Sequence, residues 1–232
     1  MEFELTPEIE ERIAESLPEW VIRRPELRRR LQHALAGTPA NRMTFEEFLD
    51  WVEEDIRAEW VDGEVIIMSP VSLRHQQLSD WLTAILLAFV ETEGLGTVLS
   101  APIQMRLQES SREPDLVFVA QKNAHRLKKT YVDGPADLVI EIVSPESVGR
   151  DRGEKYQEYE AAGIPEYWLI DPAREQAEMY LLDQKGRYQL QRVDEEHHYH
   201  ARQLPGFWLD PTWLWQDPLP KILDVLRELA VI

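Results

Sequence analysis

The sequence predicts a mixed α/β fold, a sheet flanked by helices, and three observations carry that expectation. "DLVIEIV" (137–143) is a nearly continuous apolar run, the mark of a central strand covered on both faces. "LRHQQLSDWLTAILLAFVETEG" (73–94) sets Leu78, Leu82, Ile85, Leu86 and Phe89 on one side of a helix, with Gly94 at its end. Strand-like and helical runs then alternate toward the C-terminus, the order of a mixed sheet with helices packed on it.

Residues 1–42 read as a helical N-terminal extension. "TPEIEERIAESL" opens on a Thr-Pro cap signal and stops before Pro18, and "RPELRRRLQHALAG" ends at Gly37 with Pro39 beyond. Its arginines between Arg23 and Arg30 suit a solvated helix face. The main domain spans 43–232. Thr44 followed by Glu47 forms a capping box that opens a short helix. "AEWVDGEVIIMSP" is a hairpin turning at Asp62-Gly63. After the long helix, "TVLSAPIQMRL", "DLVFVA" and "DLVIEIVS" are strand-like. "GEKYQEYEAAG" is a helix closed by Gly163 and Pro165, and "EYWLID" is a further strand. "QAEMYLLDQKGRYQLQRV" is a hairpin turning near Lys185-Gly186, and "PLPKILDVLRELAVI" is a terminal amphipathic helix.

Composition narrows the function classes. The chain has no cysteine, so disulfide frameworks and thiolate metal sites are excluded. The acidic start lacks the apolar stretch of a signal peptide, and "AILLAFV" is far short of the roughly 20 residues of a membrane span. A soluble, cytoplasmic protein without a membrane partner is expected. With 43 acidic and 25 basic residues the formal charge is −18, which argues against a broad phosphate-binding surface. A local basic groove stays open. Lys122, Arg126, Lys128 and Lys129 in one loop, and Arg150 and Arg152 before Lys155, are expected near the mouth of any site.

Glu141 interrupts the apolar run. If 115–120 and 138–143 pair antiparallel, the register that sets Phe118 opposite Leu138 also sets Asp115 opposite Glu141. Opposed like charges repel across a sheet, and a hard divalent cation such as Mg²⁺ turns the pair into a site. A buried arginine partner, or an edge strand with its acid in water, is the alternative. Lys155 and Tyr159 lie four residues apart and share a helix face with Ala162. If that face packs on the sheet, Lys155 is directed inward at the strand. Two acids and a lysine converging on a sheet end are the minimal kit for metal-assisted phosphodiester hydrolysis.

"EPDLVFV", "DLVIEIVSPES" and "RDRGEKYQEYEAAGIPEYWLID", with "RAEWVDGEVIIMSPVSLRH" before them and "QLPGFWLDPTWLW" after, resemble the Uma-two family of restriction endonuclease-like proteins. That family sits in the PD-(D/E)xK superfamily, and the resemblance covers about residues 43–215. It implies a restriction endonuclease-like mixed sheet flanked by helices. It also implies Asp115, Glu141 and Ile142 as metal ligands for Mg²⁺ or Mn²⁺, and Lys155 as the catalytic lysine. Glu59 matches an additional acid. The implied activity is a metal-dependent endonuclease that hydrolyses phosphodiester bonds of DNA. One departure stands out: the superfamily motif expects a lysine two residues after Glu141, where this chain has Val143, so the role passes to Lys155.

The alternative is a catalytically silent binding or assembly module that forms homo-oligomers, with the tryptophan-rich C-terminal stretch as a homodimer face. A serine hydrolase is set aside for want of a G-x-S-x-G elbow. His75 either touches the substrate phosphate or the surroundings of the metal, or is a satisfied helix-start histidine. His197, His198 and His200 lack the carboxylate or cysteine spacing of a zinc site.

Overall fold

The computed structural model describes residues 42–52, 57–145 and 147–232. The helices expected before Arg42 lie outside the described residues. In chain order the elements are α1 (Phe45–Trp51), β1 (Ala58–Val61), β2 (Glu64–Ile67), α2 (Leu73–Glu93), β3 (Gly96–Ser100) and β4 (Gln104–Arg106). Next come β5 (Ser110–Arg112), β6 (Leu116–Ala120), β7 (Tyr131–Asp133), β8 (Leu138–Ile142), α3 (Lys155–Ala162) and β9 (Glu166–Asp171). The chain closes with β10 (Gln176–Leu182), β11 (Tyr188–Leu190), β12 (Tyr199–His200), β13 (Trp208–Leu209) and α4 (Ile222–Glu228).

These elements fall into two compact units. The smaller comprises residues up to Pro70 together with Glu109–Glu113, and the larger comprises Val71–Gln108 and Pro114–Ile232. In the smaller unit the expected capping box forms: Glu47 N–H donates to Thr44 Oγ1 at 3.2 Å, and Thr44 N–H to Glu47 Oε2 at 2.8 Å. α1 buries Phe45 and Phe48, with Trp60 against Phe45 at 6.0 Å between ring centres. β1 and β2 are the expected hairpin. Asp62 and Gly63 both have positive φ, 48° and 87°, as a two-residue turn matched to the strand twist requires.

The larger unit is built on a six-stranded sheet of order β11-β10-β9-β8-β6-β3. β8 and β9 are parallel, with α3 in the crossover between them, and the other pairs in this sheet are antiparallel. The mixed sheet and its flanking helices are those the sequence led us to expect. "TVLSAPIQMRL" yields two strands rather than one, β3 and β4, because Pro102 has no N–H to continue a ladder. β4 pairs in parallel with β7.

α2 is capped at both ends, by Ser72 Oγ on the His75 N–H and by Gly94 with φ 62°. Its buried face, Leu78, Trp81, Leu82, Ile85, Leu86 and Phe89, packs on Leu116, Phe118, Leu138, Ile140 and Ile142 of the sheet. The opposite face carries Val117, Val139, Tyr167 and Leu169, and meets Tyr159 of α3. β8 is therefore central and buried throughout.

Candidate active site

The β6–β8 ladder pairs Leu116 with Ile140, Val117 with Val139 and Phe118 with Leu138, the register inferred from the sequence. Carried one residue further, it sets Asp115 opposite Glu141. Asp115 sits just outside β6, and its Oδ2 accepts the Ile142 N–H at 2.7 Å, so its carboxylate reaches the β8 backbone beside Glu141. The same oxygen lies 3.2 Å from His75 Nε2, in the first turn of α2. Asp115 and Glu141 are 7% and 3% exposed.

On the tyrosine-bearing face, Glu141 Oε1 accepts from Lys155 Nζ at 2.9 Å and from the Tyr159 hydroxyl at 2.7 Å. Lys155 is 1% exposed, and its Nζ also lies 3.6 Å from Asp151 Oδ1. A π-helical turn, Arg150–Glu154, runs directly into α3. Such turns add a residue to a helical repeat and are common at functional sites. Here the turn brings Asp151 and Lys155 together beneath the strand, and the Tyr167 hydroxyl donates to the Asp151 carbonyl at 3.1 Å.

The carboxylates of Glu141 and Asp151 both approach Lys155 Nζ, and the ladder register sets Asp115 across from Glu141. Their charge is felt at Tyr167: burial first, then the negative charges of Glu141 and Asp151, push its phenol well above the ordinary value. Carboxylates carried on rigid strands are the ligands a hard divalent cation takes. Asp115 and Glu141 would hold it. Ile142 has no donor on its side chain and could contribute only its backbone carbonyl.

Glu59 belongs to the smaller unit. It is fully buried, with Oε2 accepting from Arg112 Nη1 at 3.0 Å and Oε1 from the Glu113 N–H at 3.3 Å. Glu113 in turn is paired with Arg57 at 2.6 Å.

The basic loop is where the sequence reading needs correction. Lys122 and Arg126 lie in a short 3-10 helix, Gln121–Arg126, that begins where β6 ends. Asp115 stands at the other end of that strand. Five residues of strand separate the ends by about 17 Å. The loop joining two antiparallel strands must leave from the end away from these acids, so it does not line their mouth. Arg126 bonds the Pro135 carbonyl, and Lys128 donates to the His125 carbonyl at 3.1 Å. Arg152 is engaged by Glu178 at 2.5 Å and Asp171 at 3.2 Å.

Sequence reasoning took Tyr159 as packing and passed over Asp151. The helical spacing of Asp151, Lys155 and Tyr159, four residues each, was the signal that placed all three on one face. It also left the histidine cluster without carboxylates. The fold supplies them: Asp194, Glu196 and His198 each bring one potential metal-ligand atom within 4.8 Å of one another, in an exposed turn. There the backbone N–H of His198, together with the His200 ring, holds the Asp194 carboxyl down to about 2.

The family model described as "Uma2: Putative restriction endonuclease" matches residues 45–212. The chain belongs to the Uma2 family. A solved structure described as a "putative nuclease belonging to DUF820" from Anabaena variabilis is similar in fold, at 18% identity and a TM-score of 0.62. That match covers 75% of this chain and 97% of the other. Among curated proteins none matches. With its Uma2 membership, the chain is nuclease-like. No helix among the described residues is long and apolar enough to cross a membrane.

Proposed function

We propose that this protein is a metal-dependent endonuclease that hydrolyses phosphodiester bonds of DNA. The observation that carries the reading is the buried Lys155–Glu141 contact at 2.9 Å on the strand that faces Asp115. A buried lysine–carboxylate pair is costly to desolvate, and apolar residues often fill such space as well or better. Held beside a second carboxylate at a sheet end, the pair makes chemical sense.

Asp115 and Glu141 would hold Mg²⁺ or Mn²⁺. The bound ion would polarise the phosphoryl group and make its water more acidic. The chain's own residues do the remainder. The Tyr159 hydroxyl fixes the Glu141 carboxylate, the Ile142 N–H fixes Asp115, and Asp151 holds Lys155 from the far side. Lys155 would orient the attacking water and offset charge that develops on the phosphate.

The test is a metal-dependent cleavage screen over single-stranded, duplex and branched DNA, with Glu141→Gln as control. Cleavage that needs Mg²⁺ or Mn²⁺ and vanishes in the variant supports the reading. Cleavage untouched by the substitution contradicts it, and a folded wild-type chain that binds no metal points to a silent assembly module. The proposed homodimer is checked by light scattering of the full chain. Trp213 is buried, whereas Trp208 and Trp215 pack on the apolar core and stay half-buried, so these two are the tryptophans such a face would use.

A further inference from the structure

We infer that His75 is a positioning residue of this site, acting through Asp115. The inference rests on the reading above and adds to it the residue that fixes one carboxylate. His75 is the third residue of α2, and its backbone is pinned by the Ser72 cap at 3.1 Å. Its ring is 5% exposed, which is far from the solvated surface where a helix-start histidine ordinarily lies. Nε2 stands 3.2 Å from Asp115 Oδ2, the oxygen that already accepts the Ile142 N–H at 2.7 Å. A strand amide on one side and an imidazole on a capped helix on the other leave the Asp115 carboxylate little freedom to rotate.

A second observation sets this histidine apart from ordinary packing. Nδ1 is buried and has no hydrogen-bond partner among the described residues. Buried nitrogens left so are uncommon, and a functional role is one of the few reasons they persist. The ring meets Asp115 with one nitrogen and keeps the other for a group that arrives with the substrate or its water.

The test compares wild type, His75→Phe and His75→Gln, all as full chains. Phe keeps the ring volume without a donor, and Gln restores a donor on a flexible stem. Mn²⁺ affinity is measured by calorimetry, cleavage by kcat, and folding by thermal melting. The expected result is Mn²⁺ binding weaker by about 10–100-fold in His75→Phe, the range for loss of a partner that orients a metal ligand. A lowered kcat and substantial recovery in His75→Gln complete it. Wild-type affinity and kcat in His75→Phe would overturn the inference alone. So would equal losses in both variants that only track their melting temperatures. A wild-type chain that takes up no Mn²⁺ overturns the nuclease reading itself and this inference with it, and the wild-type titration tells the two failures apart.

Discussion

β8 presents two unlike faces to the rest of the larger unit. Leu138, Ile140 and Ile142 enter a core of aliphatic and aromatic side chains beneath α2. Val139 and Glu141 point the other way, toward Tyr159, Tyr167 and Lys155. Both faces are equally dry, so burial does not separate them. What separates them is the company each residue keeps. On the α2 face the three β8 side chains meet apolar neighbours, whereas on the α3 face Glu141 meets a lysine and a phenol. One strand thus serves stability with its even positions and carries the site on an odd one.

That division can be broken from either side. The largest effect is expected from Glu141→Gln, which keeps an acceptor for Tyr159 and Lys155. Metal-dependent cleavage falls to background while the far-ultraviolet circular dichroism is unchanged. Next is Lys155→Met, expected to lower kcat by about 10²–10³-fold, the scale of losing one preorganised donor, with metal uptake retained. Ile140→Ala tests the opposite face. It should cost about 2–5 kcal/mol in denaturant unfolding, with cleavage per folded molecule unaltered. If Ile140→Ala abolished cleavage at full folding, the two faces would not be separable.

The smallest effect is in pH. Burial, followed by the charge of Glu178, raises the Tyr180 phenol to about 12. Burial, followed by Glu160, raises that of Tyr188 as well. Above pH 10 the unfolded chain releases these protons before the folded one does. The folded state then holds more protons, so stability falls as pH rises from about 10 toward 12. Denaturant midpoints across that range, with Tyr180→Phe as comparison, should show the decline and its partial relief.

The central architecture was legible because its signals are local. The apolar run named β8, the helical spacing and its cap named α2, and Asp62-Gly63 named the hairpin. The β6–β8 register was legible too, since only one pairing brings both apolar sets and both acids into line. Four features were not. The break in 97–107 depends on Pro102 removing one donor from a ladder whose partner is distant in sequence. The π-helical turn before Lys155 has no propensity signal of its own. The basic loop looked close to the acids in sequence, yet strand direction carries it to the far end. The carboxylates around His198 were missed because a turn, not a regular spacing, gathers them.

The most direct test is anomalous diffraction from crystals of the full chain soaked in Mn²⁺. The account predicts a peak at the Asp115 and Glu141 carboxylates, absent in Glu141→Gln crystals. Density for Mn²⁺ only elsewhere, for instance at Asp194, Glu196 and His198, would contradict it.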